Sequence, residues 1–202
     1  MPRWVKAIAM GLFLCMILSL CGFSGDCTDL RDRVVRVHIL AHSDSAEDQQ
    51  LKLQVRDAVV KSSAALFEGV TTADEAMAAA KTHLPDLQRV AQETVAAAGY
   101  DYPVTAELTR MYFSTRDYED GRFPAGVYRA LRIVIGDGKG KNWWCVAFPP
   151  ICLGSATDHT AELSDVLTDD QRTLVEHADR YAVRFKVVEW FESLVDTVGG
   201  WW

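Results

Sequence analysis

The stretch Val34-Val35-Arg36-Val37-His38-Ile39-Leu40-Ala41-His42-Ser43-Asp44-Ser45 holds the transition from which the fold can be read. Up to Ala41 it is short and β-branched, which predicts a first strand. Ser43, Asp44 and Ser45 then supply side chains that accept hydrogen bonds from the open amides of a helix start. Glu47 and Asp48 follow in the first turn, where the helix dipole favours negative charge. Leu51, Val55, Ala58, Val59, Ser62 and Leu66 recur at steps of three and four, with Lys52, Arg56 and Lys61 on the other side. That spacing predicts an amphipathic helix to about Phe67.

Downstream, Thr72 and Glu75 have the spacing of a capping box, opening an alanine-rich helix to about His83. Pro85, tolerated in a first turn, begins a second helical segment that ends near Gly99. Val104 to Ser114 alternates loosely and predicts a strand. Phe123-Pro124-Ala125-Gly126 turns into a strand over Val127 to Ile135. Gly136 to Lys141 leads on to Asn142-Trp143-Trp144-Cys145-Val146-Ala147-Phe148, and the two strands are expected to form a hairpin. Residues 154 to 172 are polar and weakly patterned, read as loop with at most a short helix. From Arg184, the spacing of Val187, Val188, Phe191, Leu194, Val195 and Val198 predicts a last amphipathic helix. The order β-α-α-β-β-β-α predicts an α+β fold, with helices packed on a mostly antiparallel sheet.

The N-terminus is of another kind. Arg3 and Lys6 precede an apolar run from Ala7 to Leu20, the pattern of an export signal. Small residues at Gly22 and Ser24 allow cleavage after Ser24; alternatively, Val5 to Phe23 is retained as an anchor. The expected division is therefore residues 1–24, signal peptide or anchor, and residues 25–202, a single extracytoplasmic domain. Of 21 basic residues, Arg3 and Lys6 lie in the leader, so the remainder carries 19 against 28 acidic, a net charge of −9. With no run of Lys or Arg to track phosphates, nucleic acid is not an expected partner.

Few residues invite catalysis. His38 and His42 stand four apart, but on a strand running into a cap, where the alternation separates them; no third metal ligand is suggested by spacing. Gly136-Asp137-Gly138-Lys139-Gly140-Lys141 lacks the Ser or Thr and the helix that a phosphate loop requires. Cys145 sits in an apolar run that would raise its thiol pKa, so it is a poor nucleophile. In an exported chain, Cys145 and Cys152 are instead candidates for a disulfide. Alternation places Trp143, Cys145 and Ala147 on one face and Trp144, Val146 and Phe148 on the other. This fits a central strand buried on both sides, or a strand with one tryptophan in the core and the other displayed to a partner. Trp143, Trp144, Phe148, Pro149 and Pro150 are the candidate partner-binding residues. Trp201-Trp202, after two glycines, fit no helical core. No cofactor is implied.

Three blocks resemble the stage II sporulation protein R family. They are Val37 to Ser45 continuing through Gln49 and Val55 to Val59; Pro124 to Gly126 with Gly138 to Gly140 and Asn142 to Cys152; and Phe185 to Glu192. The resemblance implies a secreted signal rather than an enzyme. Such a protein is exported into the space between forespore and mother-cell membranes, where it activates a membrane-embedded aspartic protease that matures the sigma-E precursor. Its partner would be the extracytoplasmic side of that protease, with membrane proximity through the N-terminal segment. This sequence departs from the family pattern at His42, Val127, Arg129 and Ala147, where Asn, Glu, Glu and Leu are usual. The rival reading is an exported hydrolase of peptidoglycan or peptides using His38 or Cys145.

Overall fold

A computed structural model describes residues 2–67, 69–118, 121–149 and 166–199. Helix α1 runs over Arg3–Asp32, strand β1 over Val35–Leu40 and helix α2 over Ala46–Ala64. Helices α3 (Ala73–Thr82) and α4 (Leu84–Ala97) follow, then β2 (Val104–Phe113). A small ribbon, β3 (Arg116–Tyr118) and β4 (Gly121–Phe123), precedes β5 (Gly126–Ile135) and β6 (Asn142–Phe148). Helices α5 (Asp169–Glu176) and α6 (Ala182–Gly199) close the described chain.

The fold is α+β, as expected. The main sheet has the order β2-β5-β1-β6, antiparallel except for the β1–β5 pair. Local signals act as the residue types predict. Thr72 and Glu75 form the reciprocal capping box, and Pro85 sits in the first turn of α4. Thr168 and Gln171 form a second capping box at the start of α5. That Thr-x-x-Gln spacing lay in a stretch read as mostly loop.

Two expectations need correction. The β5 and β6 strands do not form a hairpin, because β1 lies between them and pairs with both. Nor is β6 a central strand; it is an edge. The reason is the Gly136–Lys141 connection, which crosses the end of β1 instead of folding back on itself. Lys139 and Gly140 donate backbone N–H groups to the carbonyls of His42 and Ala41 at 3.1 and 3.0 Å. Hydrogen bonding to the β1 exit thus replaces a direct β5–β6 ladder.

Side chains on the sheet's two faces enter separate buried clusters. Val37, Ile39, Leu131 and Ile133 pack beneath Leu51, Val55 and Val59 of α2 and Leu87, Ala91 and Val95 of α4. Fully burying each Val, Leu or Ile among these contributes about 1.5–3 kcal/mol. Tyr128, Val146 and Phe148 belong to the other cluster, with Phe23, Cys27 and Leu30 of α1, Leu174 and Val175 of α5, and Phe185 and Val188 of α6. The expected division at residue 24 therefore falls inside a continuous helix whose last turns are core. Phe23 is buried, 5.8 Å from Tyr181 in a stacked pair and 5.3 Å from Phe185 edge-on. Arg31 crosses over Gly126 and donates to the Ala125 carbonyl at 2.9 Å. A Cβ on Gly126 would lie 1.9 Å from the Arg31 guanidinium, and its φ of +146° also favours glycine. Among the described residues, no helix is long and apolar enough to cross a membrane.

Candidate functional site

The folded chain brings the β1–α2 transition against the Gly136–Lys141 connection and β6. Two of the three blocks singled out in the sequence are therefore one structure. Their junction is a clamp. The Asp137 N–H donates to His42 Nδ1 at 3.0 Å, and the Lys141 N–H donates to Asp44 Oδ1 at 2.6 Å. Lys52 Nζ donates to the Lys141 carbonyl at 3.0 Å and to Gln49 Oε1 at 2.6 Å. Burial holds the Lys52 pKa below its ordinary value, with Asp44 partly opposing. His42 stacks on Tyr102 at 4.1 Å. The glycines are required by proximity: a Cβ on Gly140 would lie 2.1 Å from the Ser43 carbonyl oxygen.

From this clamp β6 runs along the sheet edge. Both tryptophans are half-buried, and they occupy opposite faces. Trp144 lies flat on His38, ring centroids 4.0 Å apart and 10° from parallel, and meets Phe113 edge-on at 4.8 Å. Trp143 packs against the α2–α4 side, with the Arg56 guanidinium 5.4 Å from its ring. Neither alternative of one core and one displayed tryptophan describes them; an edge strand gives both rings one packed side and one open side. Phe148 and Pro149, expected at the same partner-facing surface, are buried, so the accessible part of this stretch is its tryptophan end. Pro149 follows a cis peptide. Pro150, Cys152, Trp201 and Trp202 lie outside the described residues. Cys145 is buried and disulfide-bonded, so it offers no thiolate nucleophile.

Beneath Trp144 is a polar interior that the sequence reading did not single out. Arg36 is fully buried, its guanidinium 4.3, 5.0 and 5.6 Å from the rings of Phe113, Tyr128 and Tyr118. One nitrogen donates to the Tyr118 hydroxyl, while among the described residues Nε and Nη1 find no hydrogen-bond partner. The Tyr128 hydroxyl donates to the Pro124 carbonyl at 2.6 Å, and burial drives its pKa far upward. His38 is buried too, and among the described residues neither ring nitrogen makes a hydrogen bond of ordinary geometry. Burial lowers its pKa; the nearby Asn142 side chain opposes this, and Arg132 adds to it. The available signal was phase: Arg36 and His38 alternate with Val35, Val37 and Ile39 in a strand otherwise wholly apolar. Among the described residues, no cluster of His, Cys, Asp or Glu has the arrangement of a metal site.

A model of stage II sporulation protein R matches residues 31–158. The chain belongs to the stage II sporulation protein R family. It is 33% identical over 183 residues to "Stage II sporulation protein R" of Bacillus subtilis (strain 168), covering 81% of this chain and 82% of that one. No solved structure matches it. The matched span includes the clamp, the six strands among the described residues and the Trp143–Trp144 edge. The block from Phe185 to Glu192 and the apolar half of α1 lie outside it. Of the residues expected to depart from the family pattern, His42 belongs to the clamp, and Arg129 pairs with Asp74 at a cavity of about 430 Å³ also lined by Asp29, Asp32 and Arg33.

Proposed function

We propose that this chain is an exported sporulation signal that activates a membrane-embedded aspartic protease from its extracytoplasmic side. The protease in turn matures the sigma-E precursor, and the signal acts in the space between forespore and mother-cell membranes. Family membership over residues 31–158 carries this reading. The edge strand β6 supports it by offering two half-open indoles on a rigid backbone, the kind of side chain that dominates binding energy at protein interfaces. To activate, the ligand must bind the active state of the protease more tightly than the inactive state; equal affinity shifts no population.

The test is reconstitution of the chain with the membrane protease and its precursor substrate. Precursor cleavage that depends on the added chain is the expected result; cleavage at the same rate without it sinks the proposal. Trp144→Ala tests the surface. Because the ring is only half-buried, the substitution costs about 2 kcal/mol, below the range for fully buried aromatics, and leaves a folded protein. A folded Trp144→Ala chain that activates at the wild-type rate removes this edge as the contact.

A further inference from the structure

We propose that the outer face of α6, formed by Val183, Val187 and Trp190, rests on a lipid bilayer surface. Helix α6 has two apolar faces. Phe185 and Val188 point into the core, whereas Val183 and Trp190 are 78% and 82% exposed and Val187 is 41% exposed. At about 100° per residue, the three exposed side chains fall in one stripe roughly 60° wide, away from the buried pair. A helix that needed only the core would carry polar residues there.

The occupant is identified by α1. Its first half exposes Trp4, Ile8, Met10, Leu12, Phe13 and Leu14, which at helical spacing lie on every side of the helix. A protein partner covers a stripe of such a helix; lipid covers all of it. Arg3 and Lys6 sit among these residues as snorkelling cations. The two helices are joined where α1 enters the domain, since Phe23 stacks with Tyr181 and meets Phe185 edge-on. The Arg184 guanidinium lies 5.8 Å from both the Phe23 and Tyr181 rings. Helix α6 is thereby held directly against the helix whose start the lipid takes up. On its outer face Trp190, one turn from Lys186 (itself paired with Glu189), suits the headgroup boundary, apolar ring inward and indole N–H toward water. Crossing of the bilayer is not required.

The inference goes beyond the signalling role, and its test contains no protease, so the two can fail separately. The full chain and its Trp190→Phe variant are added to vesicles of phosphatidylethanolamine and phosphatidylglycerol, with and without lipid brominated high on the acyl chain. Because Trp190 is solvent-exposed, the variant keeps the fold, and the difference between the two emission spectra reports this one indole. The expected difference spectrum is blue-shifted by vesicles and quenched by the brominated lipid. A difference spectrum that stays red-shifted and unquenched while the chain is vesicle-bound overturns the proposal. So does one already blue-shifted without lipid at concentrations where sedimentation shows self-association, which would assign the stripe to a second copy.

Discussion

Replacing Phe23 by Ala in the full chain is expected to destabilise the domain by about 3 kcal/mol. The ring is 3% exposed and contacts Tyr181 and Phe185, and truncating a buried Phe costs about 3–5 kcal/mol. Helix propensity returns about 0.5 kcal/mol, because Ala is the better helix former. With a urea dependence of about 2 kcal/mol per molar, the unfolding midpoint falls by roughly 1.5 M. The assay is urea unfolding followed by circular dichroism in a nonionic detergent that keeps α1 soluble. Leu12→Ala, at a side chain 68% exposed on the same helix, is the control and should shift the free energy by no more than about 0.5 kcal/mol. Equal, small shifts for both variants would refute the packing of α1 into the core. The result also bears on processing: a cut after Ser24 would remove a core aromatic, whereas a cut before Gly22 would leave it in place.

His38→Phe should flatten the acid side of the stability profile. The folded state keeps His38 neutral by burial, whereas the unfolded ring takes up a proton near its ordinary pKa of 6.5. Below that pH the unfolded state binds more protons, so the contribution is present above 6.5 and is lost as pH falls toward the lowered folded value. The urea midpoint of wild type should therefore drop more between pH 7.5 and 5 than that of the variant, which keeps a ring under Trp144; identical drops would exclude His38. Gly140→Ala should cost about 2–3 kcal/mol, because its Cβ would press on the Ser43 backbone, which has little room to yield. A thermal midpoint unchanged by the substitution would mean that the clamp across the β1 exit does not form as described.

Local chemistry determined most of the elements. Ser43 to Asp48 start α2, Thr72 and Glu75 start α3, and Pro85 sets the beginning of α4, because each effect acts within one helical turn. Alternation alone placed Trp143 and Trp144 on opposite faces of β6. Strand partners, in contrast, are chosen by contacts distant in sequence. A glycine-rich link between two strands reads as a hairpin, and only the hydrogen bonds to Ala41 and His42 show that β1 stands between them. The same nonlocality turned β6 into an edge, buried Phe148 and Pro149, and left both tryptophans half-open. It also enclosed Arg36 among three aromatic rings contributed by β2, β3 and β5, a grouping no spacing along the chain encodes. The apolar N-terminus declared its composition in the sequence. That its helix continues into the core through Phe23 was decided by packing against α6, more than 150 residues away.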